Sequence, residues 1–303
     1  MEVNSAFRKI EVRNASKTIG QSEILSNITM SVGAGECFGI LGENGSGKTM
    51  LLRIMTGLVT PTSGSISIMG SSPHSDPVSA LRKVSALIGI PAFYHHVSGY
   101  DNLRLFVDVP DKEEIMTALE EVGLEDEREK KVGFFSRGML QRLGIALAFV
   151  NNKPFTILDE PTQGLDDFWI GRLGELILKK VGGGQSFIIT SHDFDFVMGL
   201  CGKVMIVDSG KSRYVGPLKE IAEFPYYFQL SCSPYEKVEK IIRGLDYVHK
   251  VTGNDSIFEL IMLKEMASSL VRELVRAECD VHECSIKYYS IPDLLRQRAG
   301  ENK

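Results

Sequence analysis

The 303-residue chain predicts an α/β fold built on a parallel sheet, extended toward its C-terminal end by a small α+β unit. Three observations predict it. An apolar strand, Glu36 to Leu41, runs straight into a glycine-rich loop and then into the helix-forming run MLLRIMTGL. Two further apolar runs, Phe155 to Leu158 and Phe187 to Ile189, each end in polar residues, which is how strands of a parallel sheet meet a ligand. Beyond residue 222 strand and helix patterns alternate in a different order, β-α-β-β-α-β.

Composition sets the frame for these elements. The chain is 43% hydrophobic and 24% charged, which is ordinary for a globular protein and argues against disorder. Its formal net charge of -5, with no dense Lys/Arg block, speaks against nucleic acid as a partner. The longest apolar runs, such as Gly144 to Val150, fall far short of the roughly 18 residues that span a bilayer. The N-terminal MEVNSAFRK holds no apolar signal region, so the chain reads as cytosolic with no span of its own. Five cysteines without a C-x-x-C pair indicate reduced thiols, not a disulfide framework or zinc ribbon. Cys279, His282 and Cys284 could crowd one strand end, but they lack a fourth metal ligand.

The first functional element is GENGSGKT, Gly42 to Thr49. It fits G-x-x-x-x-G-K-[ST], a spacing with a mechanism: Gly42, Gly45 and Gly47 let the backbone curl so that N–H groups and a helix N-terminus face a phosphate chain. The loop residues Glu43, Asn44 and Ser46 and the first helical residues, up to Met50, belong to the same cradle. Lys48 would neutralise the outer phosphates, and the Thr49 hydroxyl could ligate Mg²⁺. The core is therefore expected to be that of a P-loop nucleotidase.

The second element is FTILDE, which places Asp159 and Glu160 side by side at a strand end. Adjacent carboxylates near an interior are unfavourable unless a positive charge sits beside them. In P-loop nucleotidases an Asp in this place holds Mg²⁺ through water, so Asp159 and Thr49 are the candidate metal residues. Glu160 is then free to polarise the water that attacks the γ-phosphate. The third element, TSHD from Thr190 to Asp193, brings His192 to another strand end.

In order, GENGSGKT, FSRGMLQR (Phe135 to Arg142), LDEP with GLD (Gly164 to Asp166) and TSHD resemble the ATP-binding subunit of ABC transporters over about the first 222 residues. The resemblance implies ATP and Mg²⁺ as ligands, an antiparallel β subdomain beside the core, and an inserted helical subdomain at about residues 91–152. FSRGM stands where the family has its signature sequence. Ser136 and Gly138 keep the positions that contact the γ-phosphate held by an opposing subunit, whereas Arg137 and Met139 depart from the commonest form; such S-x-G-M variants resemble those of drug and peptide-antibiotic exporters. Ser136 is also a natural N-cap for a helix in which Leu140, Leu143, Leu147 and Val150 recur at helical spacing. The resemblance implies a homodimer with two ATP molecules between its subunits, with Asp166 in a loop crossing the interface and His192 as the switch histidine bonding the γ-phosphate.

Two residues depart from the family. Where an aromatic ring usually stacks on adenine the chain offers Ile19, which puts selection for adenine in doubt. Where a Gln or Glu usually reaches Mg²⁺ and senses the membrane partner the chain has Gly89, and no Gln or Glu occurs between Arg82 and Leu103. Mg²⁺ binding is expected to persist through Thr49 and Asp159. The helical subdomain should grip a permease in the membrane, with the surface around Phe93, Tyr94, His95 and Tyr100 as the candidate contact; the competing expectation packs Phe93 and Tyr94 inside.

The C-terminal accessory unit, residues 223–303, reads as strand Tyr226 to Leu230, helix Tyr235 to Arg243, strands Tyr247 to Val251 and Ile257 to Met262, helix Lys264 to Ala277 and strand Val281 to Tyr289. This is a ferredoxin-like pattern, followed by Ile291 to Leu295, which resembles the terminal helix of exporter ATPases. It carries no catalytic constellation, and dimer support or partner binding is expected from its position.

The function expected is that of an ATPase subunit that pairs on ATP and drives a separate integral membrane permease, an exporter, from the inner face of the cell membrane. Its competitors are an ATP-binding regulatory module with little turnover, for which Gly89 is the motive, and a non-transport ABC ATPase acting on ribosomes or DNA.

Overall fold

A computed structural model describes residues 8–107, 111–150, 152–222, 226–254, 257–262 and 266–287. The chain divides into two compact units, Met1–Leu218 and Lys219–Lys303.

The first unit is built around β3 (Cys37–Leu41), whose five residues are all buried. The other elements of this unit are β1 (Lys9–Ile19), β2 (Ser22–Gly33), α1 (Lys48–Met55), β4 (Ser63–Ile68), α2 (Pro77–Leu81), β5 (Val84–Leu87), α3 (Gly99–Phe106), α4 (Lys112–Glu121), α5 (Arg137–Val150), β6 (Phe155–Asp159), α6 (Asp167–Gly182), β7 (Ser186–Ser191), α7 (Phe194–Leu200), β8 (Lys203–Asp208) and β9 (Lys211–Pro217). They form a nine-stranded sheet in the order β4-β1-β2-β9-β8-β3-β7-β6-β5. The run from β8 to β5 is parallel, whereas β4, β1 and β2 pair antiparallel.

Burial explains the parallel part. Every residue of β3, β6 and β7 is buried, as expected of strands covered on both faces. Because β3, β7 and β6 are consecutive in the sheet, their C-terminal ends open onto one edge. That edge carries Gly42, Thr190 and Asp159.

The chain between β5 and β6, neighbours in the sheet, leaves to form α3, α4 and α5. Fully buried Asn102 ties down the loop before α3: its Oδ1 accepts from Tyr94 N at 2.8 Å, and its Nδ2 donates to Ser98 O at 2.9 Å and Tyr94 O at 3.0 Å. At α5 the sequence reading places a helix over Ser136 to Val150; the helix begins at Arg137, with Ser136 Oγ accepting from Met139 N at 3.2 Å as its cap.

The second unit starts with α8 (Lys219–Ala222) and continues as β10 (Tyr226–Ser233), α9 (Tyr235–Arg243), β11 (Val248–Asn254), β12 (Ile257–Met262), α10 (Ala267–Arg276) and β13 (Asp280–Lys287). Its four strands run antiparallel in the order β11-β12-β10-β13, the ferredoxin-like arrangement that the β-α-β-β-α-β pattern implies. Alternate strand residues Phe228, Leu230, Phe258 and Leu260 bury one sheet face against Val238, Ile242, Leu270 and Leu274 of the two helices. The expected helix at Ile291 to Leu295 lies outside the described residues.

Candidate functional site

Gly42 follows β3 at a point where a side chain has no room. A Cβ there would lie 2.4 Å from Ser46 Oγ and 2.5 Å from Val207 O. Gly47, at φ 109, caps α1 in a conformation that other residues rarely adopt. No side chain caps α1 and no acid stands in its first turn, so its leading N–H groups have no side-chain acceptor there. Ser46 Oγ in the same loop is buried with no hydrogen-bond partner. An uncapped helix start with an orphaned buried hydroxyl fits a phosphate chain, which supplies many acceptor oxygens.

Lys48 opens α1 and is buried. Its Nζ donates to Gly42 O at 2.6 Å and Glu43 O at 3.1 Å, which curls the loop around the ammonium. The same Nζ lies 3.1 Å from Glu160 Oε1, an ion pair without hydrogen-bond geometry, since that oxygen is otherwise buried and unsatisfied.

The two adjacent carboxylates divide their surroundings. Asp159 is 5% exposed and accepts three hydrogen bonds: from Thr49 Oγ1 (2.8 Å) and Gly89 N (3.2 Å) on Oδ2, and from Thr190 Oγ1 (2.6 Å) on Oδ1. Glu160 sits at φ 46, left-handed backbone that is strained for a residue with a Cβ. Its N donates to Thr190 Oγ1 at 2.9 Å, and its Oε2 lies 2.8 Å from His192 Nδ1 and accepts from His192 N at 3.3 Å. Lys48 is therefore the positive charge beside Glu160, while three neutral donors hold Asp159.

Hard-oxygen donors Thr49 Oγ1 and Asp159 Oδ2 stand 2.8 Å apart beside the cradle. Among the described residues no group of three or more His, Cys, Asp or Glu could hold a metal ion. A site with one hydroxyl and one carboxylate suits Mg²⁺, which keeps waters and phosphate oxygens for the rest of its shell. Gly89, at φ 69, contributes only its N–H, and a Cβ on it would meet nothing within 4 Å.

Ser136, Gly138 and Asp166 lie together at a second place. A Cβ on Gly138 would come within 3.0 Å of Gly164 O, so the start of α5 rests on the GLD loop. Asp166 caps α6 by accepting from Trp169 N at 2.9 Å. With Arg137, Arg142 and Trp169 they line an open pocket that contains no residue of the Gly42–Thr49 loop. Exposed Ile19 ends β1.

The surface around residues 93–100 is split. Phe93 packs inside, edge-on to Phe106, which corrects its place in the candidate contact: its ring is needed to fill the space beside α3. Tyr94 is 52% exposed and stacks on half-exposed Phe106 at 5.8 Å, and Ile90 is 88% exposed. His282 Nε2 is engaged by Ser233 Oγ at 3.1 Å, and Cys279 packs in the core of its unit.

Three side chains that tie the site's segments together escape the sequence reading. Thr190 bridges Asp159 and Glu160, and its signal is a hydroxyl at the end of the strand between β3 and β6. Gln141 Nε2 donates to Pro161 O at 3.1 Å and so connects α5 with the Asp159–Glu160 segment. Arg142 spans α4, α5 and α6.

A profile described as ABC transporter matches residues 25–163. The "Uncharacterized ABC transporter ATP-binding protein YhcH" of Bacillus subtilis is 31% identical over 300 residues, 97% of either chain. The "Lantibiotic transport ATP-binding protein SrtF" of Streptococcus pyogenes is 36% identical over 204 residues, covering 67% of this chain and 88% of that protein. A solved structure described as an ATP binding subunit of an ABC transporter superposes with a TM-score of 0.65 at 28% identity, covering 70% of this chain and 91% of the other.

Proposed function

The chain belongs to the ABC transporter family as one of its ATP-binding, ATP-hydrolysing subunits, and from that premise we propose that two copies close on ATP and drive a separate membrane permease that exports peptide antibiotics or drugs. The observation that carries the pairing is the separation of half-sites: the pocket of Ser136, Gly138 and Asp166 includes no residue of the phosphate cradle. A second copy would bring its cradle to this pocket.

Within each site the residues Gly42 to Met50 would hold the phosphates, through loop N–H groups and Lys48. Thr49 and Asp159 would hold Mg²⁺, which when bound screens phosphate charge. Glu160 would take the proton of the attacking water, and His192, 2.8 Å from its Oε2, would orient that carboxylate and bond the γ-phosphate. Lys48 has to exchange Glu160 for phosphate oxygens as ATP enters, which leaves Glu160 free for water. Ser136 and Gly138 of the facing copy would complete the anion site with the start of α5.

The export reading is supported by the lantibiotic-transport name of a relative at 36% identity and by the S-x-G-M form of Ser136 to Met139. No helix among the described residues is long and apolar enough to cross a membrane; in this reading the permease spans it and this subunit works at the cytoplasmic face. Exposed Ile90, Tyr94 and Phe106 form the surface offered to it. The second unit would support the dimer or the permease contact.

The test is expression with its permease in a lantibiotic-sensitive host. Protection that disappears with Glu160→Gln supports the proposal; protection unchanged by that substitution contradicts it.

A further inference from the structure

Arg142 lies on α5, six positions after the Ser136 cap, and joins three helices. Its Nη1 donates to Val122 O and to Gly123 O, both at 2.9 Å, at the C-terminal end of α4, where a cation also meets the negative end of the helix dipole. Its guanidinium carbon stands 4.2 Å from the centroid of the Trp169 ring, in the first turn of α6. Trp169 N in turn donates to Asp166 Oδ1 at 2.9 Å. Trp169 fits there because residue 123 is glycine: a Cβ on Gly123 would lie 2.3 Å from Trp169 Cη2. Burial lowers the proton affinity of Arg142, and the nearby carboxylates of Asp166, Glu125 and Glu127 oppose that by favouring the charge.

We propose that Arg142 is a positioning residue for the ATP-driven pairing of two chains, holding the Ser136–Gly138 and Gly164–Asp166 segments as one preformed face. This rests on the reading that two copies close on ATP. The two segments belong to different elements and pass so closely that a Cβ added to Gly138 would lie 3.0 Å from Gly164 O, so small displacements of α5 against α6 misalign them. The guanidinium is suited to prevent this because Nη1 bonds both carbonyls while the flat face of the same group lies on the indole. A lysine has one nitrogen for both tasks and no planar face to lay on the indole.

The experiment uses the full chain carrying Glu160→Gln, which blocks turnover, and measures ATP-dependent self-association by sedimentation with ATP binding to the monomer in parallel. Adding Arg142→Met is expected to weaken pairing by about tenfold or more while changing ATP affinity by no more than about twofold. Arg142→Lys, the milder change, is expected to stay nearer the Met variant than the parent. Trp169 is the chain's only tryptophan, so its emission reports the contact directly and should shift in both variants before ATP is added. Pairing equal to the parent in Arg142→Met, or fully restored by Arg142→Lys, overturns the assignment. A Glu160→Gln parent that stays monomeric with ATP overturns the pairing reading itself, and the assignment with it.

Discussion

Lys48 Nζ lies 3.1 Å from Glu160 Oε1, and Glu160 Oε2 lies 2.8 Å from His192 Nδ1, so one carboxylate joins the phosphate cradle to the histidine beyond β7. This arrangement gives His192 a role in holding Glu160 that is separate from binding ATP. His192→Ala is expected to lower kcat by about 10² and to weaken ATP binding much less, because the Gly42–Thr49 loop still holds the phosphates when the one γ-phosphate bond of His192 is lost. Steady-state kinetics with a parallel nucleotide-binding titration checks this. Loss of affinity equal to the loss of turnover would make His192 a binding residue only.

Thr190 both donates to Asp159 Oδ1 and accepts from Glu160 N. Thr190→Val keeps the shape but leaves the buried Asp159 Oδ1 unanswered, while Glu160 N keeps its bond to Thr190 O at 3.2 Å. The expected cost is about 1–3 kcal/mol in chemical denaturation, with a rise in the Mg²⁺ concentration needed for half-maximal turnover. Both readouts moving together is the outcome that ties Thr190 to Asp159.

Gly89 offers a backbone N–H and no side chain to Asp159. Since its φ is 69 and a Cβ there meets open space, Gly89→Ala should cost only the strain of left-handed backbone, about 1–2 kcal/mol. The Mg²⁺ dependence of ATP hydrolysis should be unchanged. A large rise in the Mg²⁺ requirement would mean that the conformation at residue 89 matters to the metal site beyond its N–H.

The exposed side chain of Ile19 presents no ring to a base. Ile19→Tyr should tighten ATP binding by about fivefold or more if stacking contributes about 1 kcal/mol. Comparing ATP and GTP affinities of both forms measures how much base selection the isoleucine forgoes.

Tyr247 donates its hydroxyl to Glu273 Oε1 at 3.0 Å, and burial with that carboxylate pushes its pKa up to about 12. The unfolded chain, with an ordinary tyrosine pKa near 10, loses this proton first as pH rises. The contribution is complete below about pH 10 and is lost by about pH 12, so alkaline unfolding of the second unit should begin in that window. Tyr247→Phe should remove this part of the pH dependence, as followed by circular dichroism.

Much of this architecture is legible in the sequence because motif and element coincide. GENGSGKT sits between a fully buried strand and a helix, and each apolar run of the parallel core is uninterrupted. In the second unit α9 spans Tyr235–Arg243 and β12 spans Ile257–Met262, the same limits that periodicity gives. β1 and β2 are harder to read: register shifts between Val12 and Thr18 interrupt their alternation, so period two is broken where it would have marked the strands. Phe93 and Tyr94 are adjacent aromatics that both pack on Phe106, yet one is buried and the other half-exposed, a difference that spacing does not encode. Thr190, Gln141 and Arg142 act through partners distant in the chain, and no local spacing encodes those contacts.

The central claim is that Glu160 activates water while Lys48, Thr49 and Asp159 hold the nucleotide and its metal. It is tested most directly by Mg²⁺-dependent ATP hydrolysis of the purified chain against Glu160→Gln at saturating ATP. The account predicts turnover in the parent and a loss of at least about a hundredfold in the variant, with ATP binding intact. Turnover within a few fold of the parent would contradict it, because the carboxylate paired with Lys48 and His192 would then have no part in the chemistry.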